Sequence, residues 1–306
     1  MTAPPVVEPA AAYYTAQAAV AAQAASTAAA AWSSLNLAAI DAAWAQVRDA
    51  ILTALVAGQV RAAVTGQVFV DATVAAAGLE PRPVARIPAA GFAGRSAAGT
   101  PLVGAVDTAP VVVKRGIAAG RTVEDAAAAG GALVEHIVRT EVADAGRGSA
   151  EAAIRLEPQI VGWERYVNLP ACGRCIILAG RVYRRSEAFL RHPSCDCSHR
   201  PLTSREARDD TEQEPSQLFR DLTREQQDRI FTADGARAIR SGADLSQVVN
   251  ARRGMSAPGD PFTTAGTGRA RGGRTRASRL SPQGCARMAG DDDALYLRLL
   301  ERNRYI

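Results

Sequence analysis

Four of the five cysteines and two of the three histidines fall between Cys172 and His199, in a chain of 306 residues. No other feature constrains the fold so tightly, because soft ligands spaced this closely must converge on one point if they act together. The segment reads Cys172-Gly-Arg-Cys175, then sixteen residues, then His192-Pro-Ser-Cys195-Asp-Cys197-Ser-His199. A tight turn at each end would aim Cys172 and Cys175 from one side, and His192, Cys195 and Cys197 from the other, at a single ion. Pro193 stiffens the second turn. Four such ligands around Zn²⁺ leave no open position, so the spacing predicts a structural rather than a catalytic zinc site. Five candidates compete for four positions, and C-x-C can chelate through one sulfur or both. Reduced thiols without metal, or disulfides in an oxidising compartment, are the alternatives. His199 reads as a supporting or surface residue.

Much of the remainder of the chain reads as helix. The hydrophobic fraction is 47%, yet aromatics are only 5% and alanine supplies much of the difference, so the core is thin in places. Residues 10–31 are almost entirely alanine with glutamine, serine and threonine, which is strong helix composition with little to bury. Leu37, Ile40, Trp44, Val47, Ile51 and Leu55 then recur at helical spacing as one apolar stripe. That stripe serves either as a bundle seam or as an oligomer contact, with Trp44 and Ile51 at its centre. Prolines and glycines cluster between residues 81 and 109, which places a linker there. Two helices follow, at 111–119 and 123–147, the second capped by Thr122 and carrying Leu133, Ile137, Val138 and Val142. Cys175 to Tyr183 suggests a strand or hairpin turning near Gly180. Thr223-Arg-Glu-Gln226 has the pattern of a capping box, and Asp244 that of a helix cap. The closing helix opens on Asp291, Asp292 and Asp293 and ends on Arg298, Arg302 and Arg304, matching the helix dipole at both ends.

The expected architecture is therefore mainly α-helical, with a small zinc-stabilised α/β subdomain at about 160–202 and short strands near 176–197. Its expected divisions are a helical N-terminal region (1–80), a linker (81–109), a domain holding the zinc knob (110–251), a basic arm (252–280) and a C-terminal helix (281–306). No basic residue precedes Arg48, which removes the n-region of a signal peptide. No strongly apolar run of membrane-spanning length is present, so no membrane partner is expected. Clustered cysteines suit a metal site in a cytosolic product better than a secreted disulfide scaffold.

Charge is concentrated in one segment. Between residues 250 and 290 stand eight arginines against a single acid, Asp260, so this segment alone exceeds the net charge of +5 and the remainder is slightly acidic. Seven of the eight (Arg252, Arg253, Arg269, Arg271, Arg274, Arg276 and Arg279) are candidates for contact with nucleic acid. Interleaved with glycine, serine and threonine, and without aromatics to stack bases around the run 269–279, they suit phosphate backbones rather than base readout. A solvated linker from an arginine-rich genome is the plain alternative. Catalytic motifs are missing. Pro170-Ala-Cys-Gly-Arg-Cys175 resembles half of a zinc deaminase site, but the H-x-E half with its proton-shuttling glutamate is missing. Neither G-x-S-x-G, a P-loop nor a dinucleotide fingerprint occurs. The chain is not expected to be an enzyme; the competing expectation is a zinc-stabilised nucleic-acid-binding enzyme such as a nuclease.

Three stretches together resemble the MuF-like minor capsid, or head morphogenesis, proteins of tailed bacteriophages, above all those of actinobacteriophages. They are Arg139-Thr-Glu-Val-Ala-Asp-Ala-Gly-Arg147, Ala171-Cys-Gly-Arg-Cys-Ile-Ile-Leu-Ala-Gly-Arg-Val-Tyr183 and Arg191-His-Pro-Ser-Cys-Asp-Cys197. The likeness extends over about 110–306. It implies a structural protein present in few copies inside the virion, near the portal vertex, after assembly in the host cytoplasm. Its implied partners are the portal protein, the inner face of the major capsid protein and packaged double-stranded DNA. The N-terminal helices, through Trp44 and Ile51, are the expected contact with portal or with further copies.

Overall fold

The computed structural model describes residues 9–188, 195, 197–204, 213–267 and 278–306. Its backbone contacts divide the chain into two units: unit 1, Met1–Asn168 with Val182–Asp210, and unit 2, Leu169–Arg181 with Thr211–Ile306.

Unit 1 is organised by three long helices, α1 (Pro9–Ser33), α2 (Ile40–Ala76) and α5 (Val123–Leu156), which pack pairwise on one another. Short α3 (Leu102–Val106) and α4 (Thr108–Ala118) cover one side. Burying a large aliphatic side chain stabilises by roughly 1.5–3 kcal/mol. Here Val47, Ile51 and Leu55 of α2, with Val134, Val138 and Val142 of α5, carry that contribution. From α1 come Ala21, Ala24, Ala25 and Ala28, which fill little space and let the helices approach closely. Glycine completes the approach. A Cβ on Gly66 would lie 2.5 Å from the Gly146 carbonyl oxygen and 2.8 Å from the Ala150 nitrogen, so α2 and α5 meet there backbone to backbone. Buried polar groups pin the register: Gln17 Nε2 donates to the Ala62 carbonyl at 2.8 Å, and Ser149 Oγ to the Ala63 carbonyl at 2.6 Å.

By length and composition the segment Leu37–Ala76 is apolar enough to cross a membrane. In the bundle its apolar stripe faces α1 and α5, which is the arrangement of a core helix. The proline- and glycine-rich stretch after α2 is tied to the same bundle rather than dividing two units. The Val84 amide donates to the Leu156 carbonyl at 2.9 Å, and Gln59 Nε2 to the Arg95 carbonyl at 2.9 Å.

An antiparallel sheet of order β2-β1-β3 completes unit 1: β1 is Gly162–Val167, β2 Val182–Arg184 and β3 Cys197–Leu202. Trp163 anchors it, stacked on Tyr183 at 4.2 Å between ring centroids and edge-on to His199 at 4.7 Å. In unit 2 the helical turn α6 (Gly173–Ile176) precedes α7 (Pro215–Asp221), α8 (Arg224–Phe231), α9 (Ala233–Arg240) and α10 (Leu245–Ala251). The strands β4 (Phe262–Thr263) and β5 (Arg279–Leu280) pair antiparallel before α11 (Pro282–Ala289) and α12 (Asp293–Arg302). The capping box at Thr223 and the caps at Thr122 and Asp244 form as the sequence predicts.

The fold is thus mainly α-helical with small antiparallel sheets. Two expectations need correction. Trp44 (8% exposed) and Ile51 (0%) lie inside the bundle core, Trp44 donating to Asp107 Oδ1 at 2.8 Å, so neither is a docking surface. The segment 252–280, expected to be a flexible arm, is built at both ends: the β4–β5 pair and a 3-10 turn at Arg252–Gly254 hold it.

Candidate metal centre

Cys172 caps α6 with extended backbone, and the amides of Cys175 and Ile176 both donate to its carbonyl, at 2.9 and 3.1 Å. That turn is what Cys-Gly-Arg-Cys encodes, with Gly173 seated where a side chain would press on Phe231 and Val249. It leaves the two sulfurs 3.5 Å apart. Cys195 and Cys197 enter from the start of β3, and the ligand atoms of Cys175, Cys195 and Cys197 all lie within 4.8 Å of one another, each residue buried. Cys172 is exposed and stands beside Cys175 rather than within that mutual group. His192 lies outside the described residues.

Three convergent sulfurs with a fourth at one edge fit a soft, four-coordinate ion. With Zn–S near 2.3 Å, tetrahedral geometry places sulfurs about 3.8 Å apart, close to the separation of the Cys172/Cys175 pair. The charge environment suits thiolates. Arg165, only 3% exposed, has its pKa raised; burial opposes the charge, but the Cys197 sulfur and Tyr183 outweigh it. Arg147 donates from Nη1 to the Cys195 carbonyl at 3.1 Å while Nη2 pairs with Asp144 at 2.9 Å, fixing the backbone that presents Cys195. Such supporting groups orient and tune a metal's ligands.

His199 is wholly buried, not on the surface. Burial, with the nearby charges of Arg147, Arg165 and Arg155, pushes its pKa down to about 3, so the ring is neutral. It packs edge-on against Trp163 in the sheet that carries Cys197. Cys285 lies apart in α11, buried, its pKa pushed up to about 11 by burial. Sequence reasoning missed Arg147 and Arg165. Arg147 closes the 139–147 stretch and Arg165 sits in β1, but nothing in the sequence ties either to the cysteines.

The arginines proposed for nucleic acid separate into three groups. Arg269, Arg271, Arg274 and Arg276 lie outside the described residues. Arg279 is directed inward: Nε donates to the Ala265 carbonyl at 2.9 Å, Nη2 to Gln247 Oε1 at 2.8 Å, and the guanidinium stacks over Tyr305 at 4.3 Å. Arg252 and Arg253 are both exposed, and Arg252 gives one donor to the Ile230 carbonyl at 3.2 Å.

A bundle of long alanine-rich helices carrying a small sheet with a thiol cluster defines a mainly helical protein with a candidate structural metal centre. The model of the VG15 protein family matches residues 6–222, and the chain belongs to that family, whose members are phage proteins. No curated protein and no solved structure matches it.

Proposed function

We propose that the protein is a MuF-like minor capsid, or head morphogenesis, component of a tailed phage. In this reading it is held in few copies inside the head near the portal, and one structural Zn²⁺ ties its thiol cluster. The observation that carries the reading is the extent of the family match. Residues 6–222 include the whole helix bundle and every candidate metal ligand, so the phage family and the cysteine motif that resembles MuF-like proteins coincide on the same residues. Zinc is favoured over other ions because the converging donors are all sulfur, and buried thiolates flanked by arginine suit a closed site. Packaged DNA is the natural partner of the arginine-rich segment, since a protein inside a filled head meets phosphate at high density.

The test is a quantitative mass-spectrometric inventory of purified virions, with cross-linking. The protein is expected at far below the abundance of major capsid protein, with cross-links to portal. Its absence from virions overturns the reading. Metal-dependent cleavage of duplex DNA by the pure protein would favour a nuclease instead.

A further inference from the structure

Three arginines of unit 2 are matched to an acid: Arg229 to Glu225 at 2.7 Å, Arg237 to Asp293 at 2.9 Å and Arg240 to Asp228 at 3.1 Å. Arg253, Arg302 and Arg304 are exposed and make no salt bridge among the described residues. They line two clefts of about 520 and 200 Å³ that share Gly266: Arg253 the first, Arg302 and Arg304 the second. Gly266 forms the floor between them: it adopts φ +72°, a conformation that favours glycine, and its Cα side faces the inward-directed Arg279, whose Nη2 would lie 2.8 Å from an added Cβ. Arg279 and the β4–β5 pairing in turn fix both sides of this floor.

Arg304 carries an independent signal. Helix α12 ends with the Tyr305 amide donating to the Leu300 carbonyl and the Arg304 amide to the Glu301 carbonyl, both at 2.9 Å. This is the paired bonding of a Schellman turn, whose left-handed position is usually glycine. Here arginine occupies it at φ +60°. An L-residue in that conformation is less stable than glycine, so the side chain is present at a cost to the turn. The turn aims it out beside Arg302. Glu301 is the one acid on the same turn, and the surface stays positive.

We propose that Arg253, Arg302 and Arg304 form a preorganised site for the phosphates of duplex DNA, at the root of the arginine-rich segment. This rests on the reading of the protein as a head component that meets packaged DNA. Contacts to phosphate oxygens carry no sequence information, so binding is independent of sequence.

The test measures binding of the full chain to a short duplex by fluorescence anisotropy over a salt series, alongside thermal melting and virion incorporation. Arg304→Gly should raise the melting temperature and weaken binding, opposite signs that a merely structural role cannot give. The Arg253→Gln, Arg302→Gln, Arg304→Gly triple variant should flatten the log–log salt slope by about 2.7, at roughly 0.9 for each phosphate that is no longer neutralised. An unchanged slope in the folded triple variant, or no DNA binding by wild type, overturns the site and leaves the head reading standing. A flattened slope in a protein absent from virions upholds the site and overturns the head reading.

Discussion

Cys175 is the sulfur common to both observed groupings, 3.5 Å from Cys172 and within the mutual cluster with Cys195 and Cys197. Cys175→Ser should therefore cost the protein its metal. Reducing purification should yield about one zinc per wild-type chain and close to none for the variant, by elemental analysis. A zinc-free, fully folded wild type would refute the centre. Cys285→Ser should leave zinc content unchanged. Its thiol, buried and with a pKa of about 11, should also resist iodoacetamide at pH 8, where almost none is thiolate, and react only once denaturant exposes it. Rapid alkylation of Cys285 in native protein, read by mass spectrometry, would contradict that burial. The sulfur cluster was legible because two-residue spacings are a local property. Arg147 and Arg165 were not, since they reach the cysteines through the packing of α5 and β1, which no short motif records.

Among the elements, α2 and α5 set the tightest requirement. Gly66→Ala would drive a methyl group into the backbone of α5, and a rigid backbone cannot move aside as a side chain can. A loss of about 1–3 kcal/mol is expected, as for other overpacked cores. Ile51→Ala, which empties a fully buried position, should cost about 2–5 kcal/mol. Both are read from urea unfolding midpoints, and a change below a few tenths at Gly66 would mean the two helices do not meet there. The stripe from Leu37 to Leu55 was readable because 3.6-residue periodicity marks a buried face, although periodicity does not say what buries it. In this chain α1 and α5 do, which removes Trp44 and Ile51 from the surface. α5 runs to Leu156 rather than stopping near Arg147, because Gly146 and Ser149 resemble a helix end in sequence but serve close packing against α1 and α2 in the structure. β1 was missed for a related reason. Glu164 and Arg165 are both buried, Glu164 paired with Arg200 at 2.8 Å, which erases the polar-out alternation that identifies a strand.

On the scale of the molecule, an ion held only by the folded chain links stability to metal supply. The melting temperature should rise with free zinc, by the equivalent of about 2.7 kcal/mol at a hundredfold excess over Kd. Calorimetry across a zinc-buffer series checks this, and a flat response would place the metal outside the folding equilibrium. Leu169–Arg181, which carries Cys172 and Cys175, belongs with Thr211–Ile306 rather than with its neighbours in sequence. A ribosome delivers the chain in order, at about 5–20 residues per second. Each nascent molecule therefore passes through an interval, on the order of ten seconds at those rates, in which this thiol pair has left the exit tunnel before the rest of its unit exists. During that interval the two sulfurs are open to any metal or oxidant in the infected cell. Which ion such a cluster would hold is thus influenced by the cytoplasm in which the chain is translated as well as by the geometry it finally adopts.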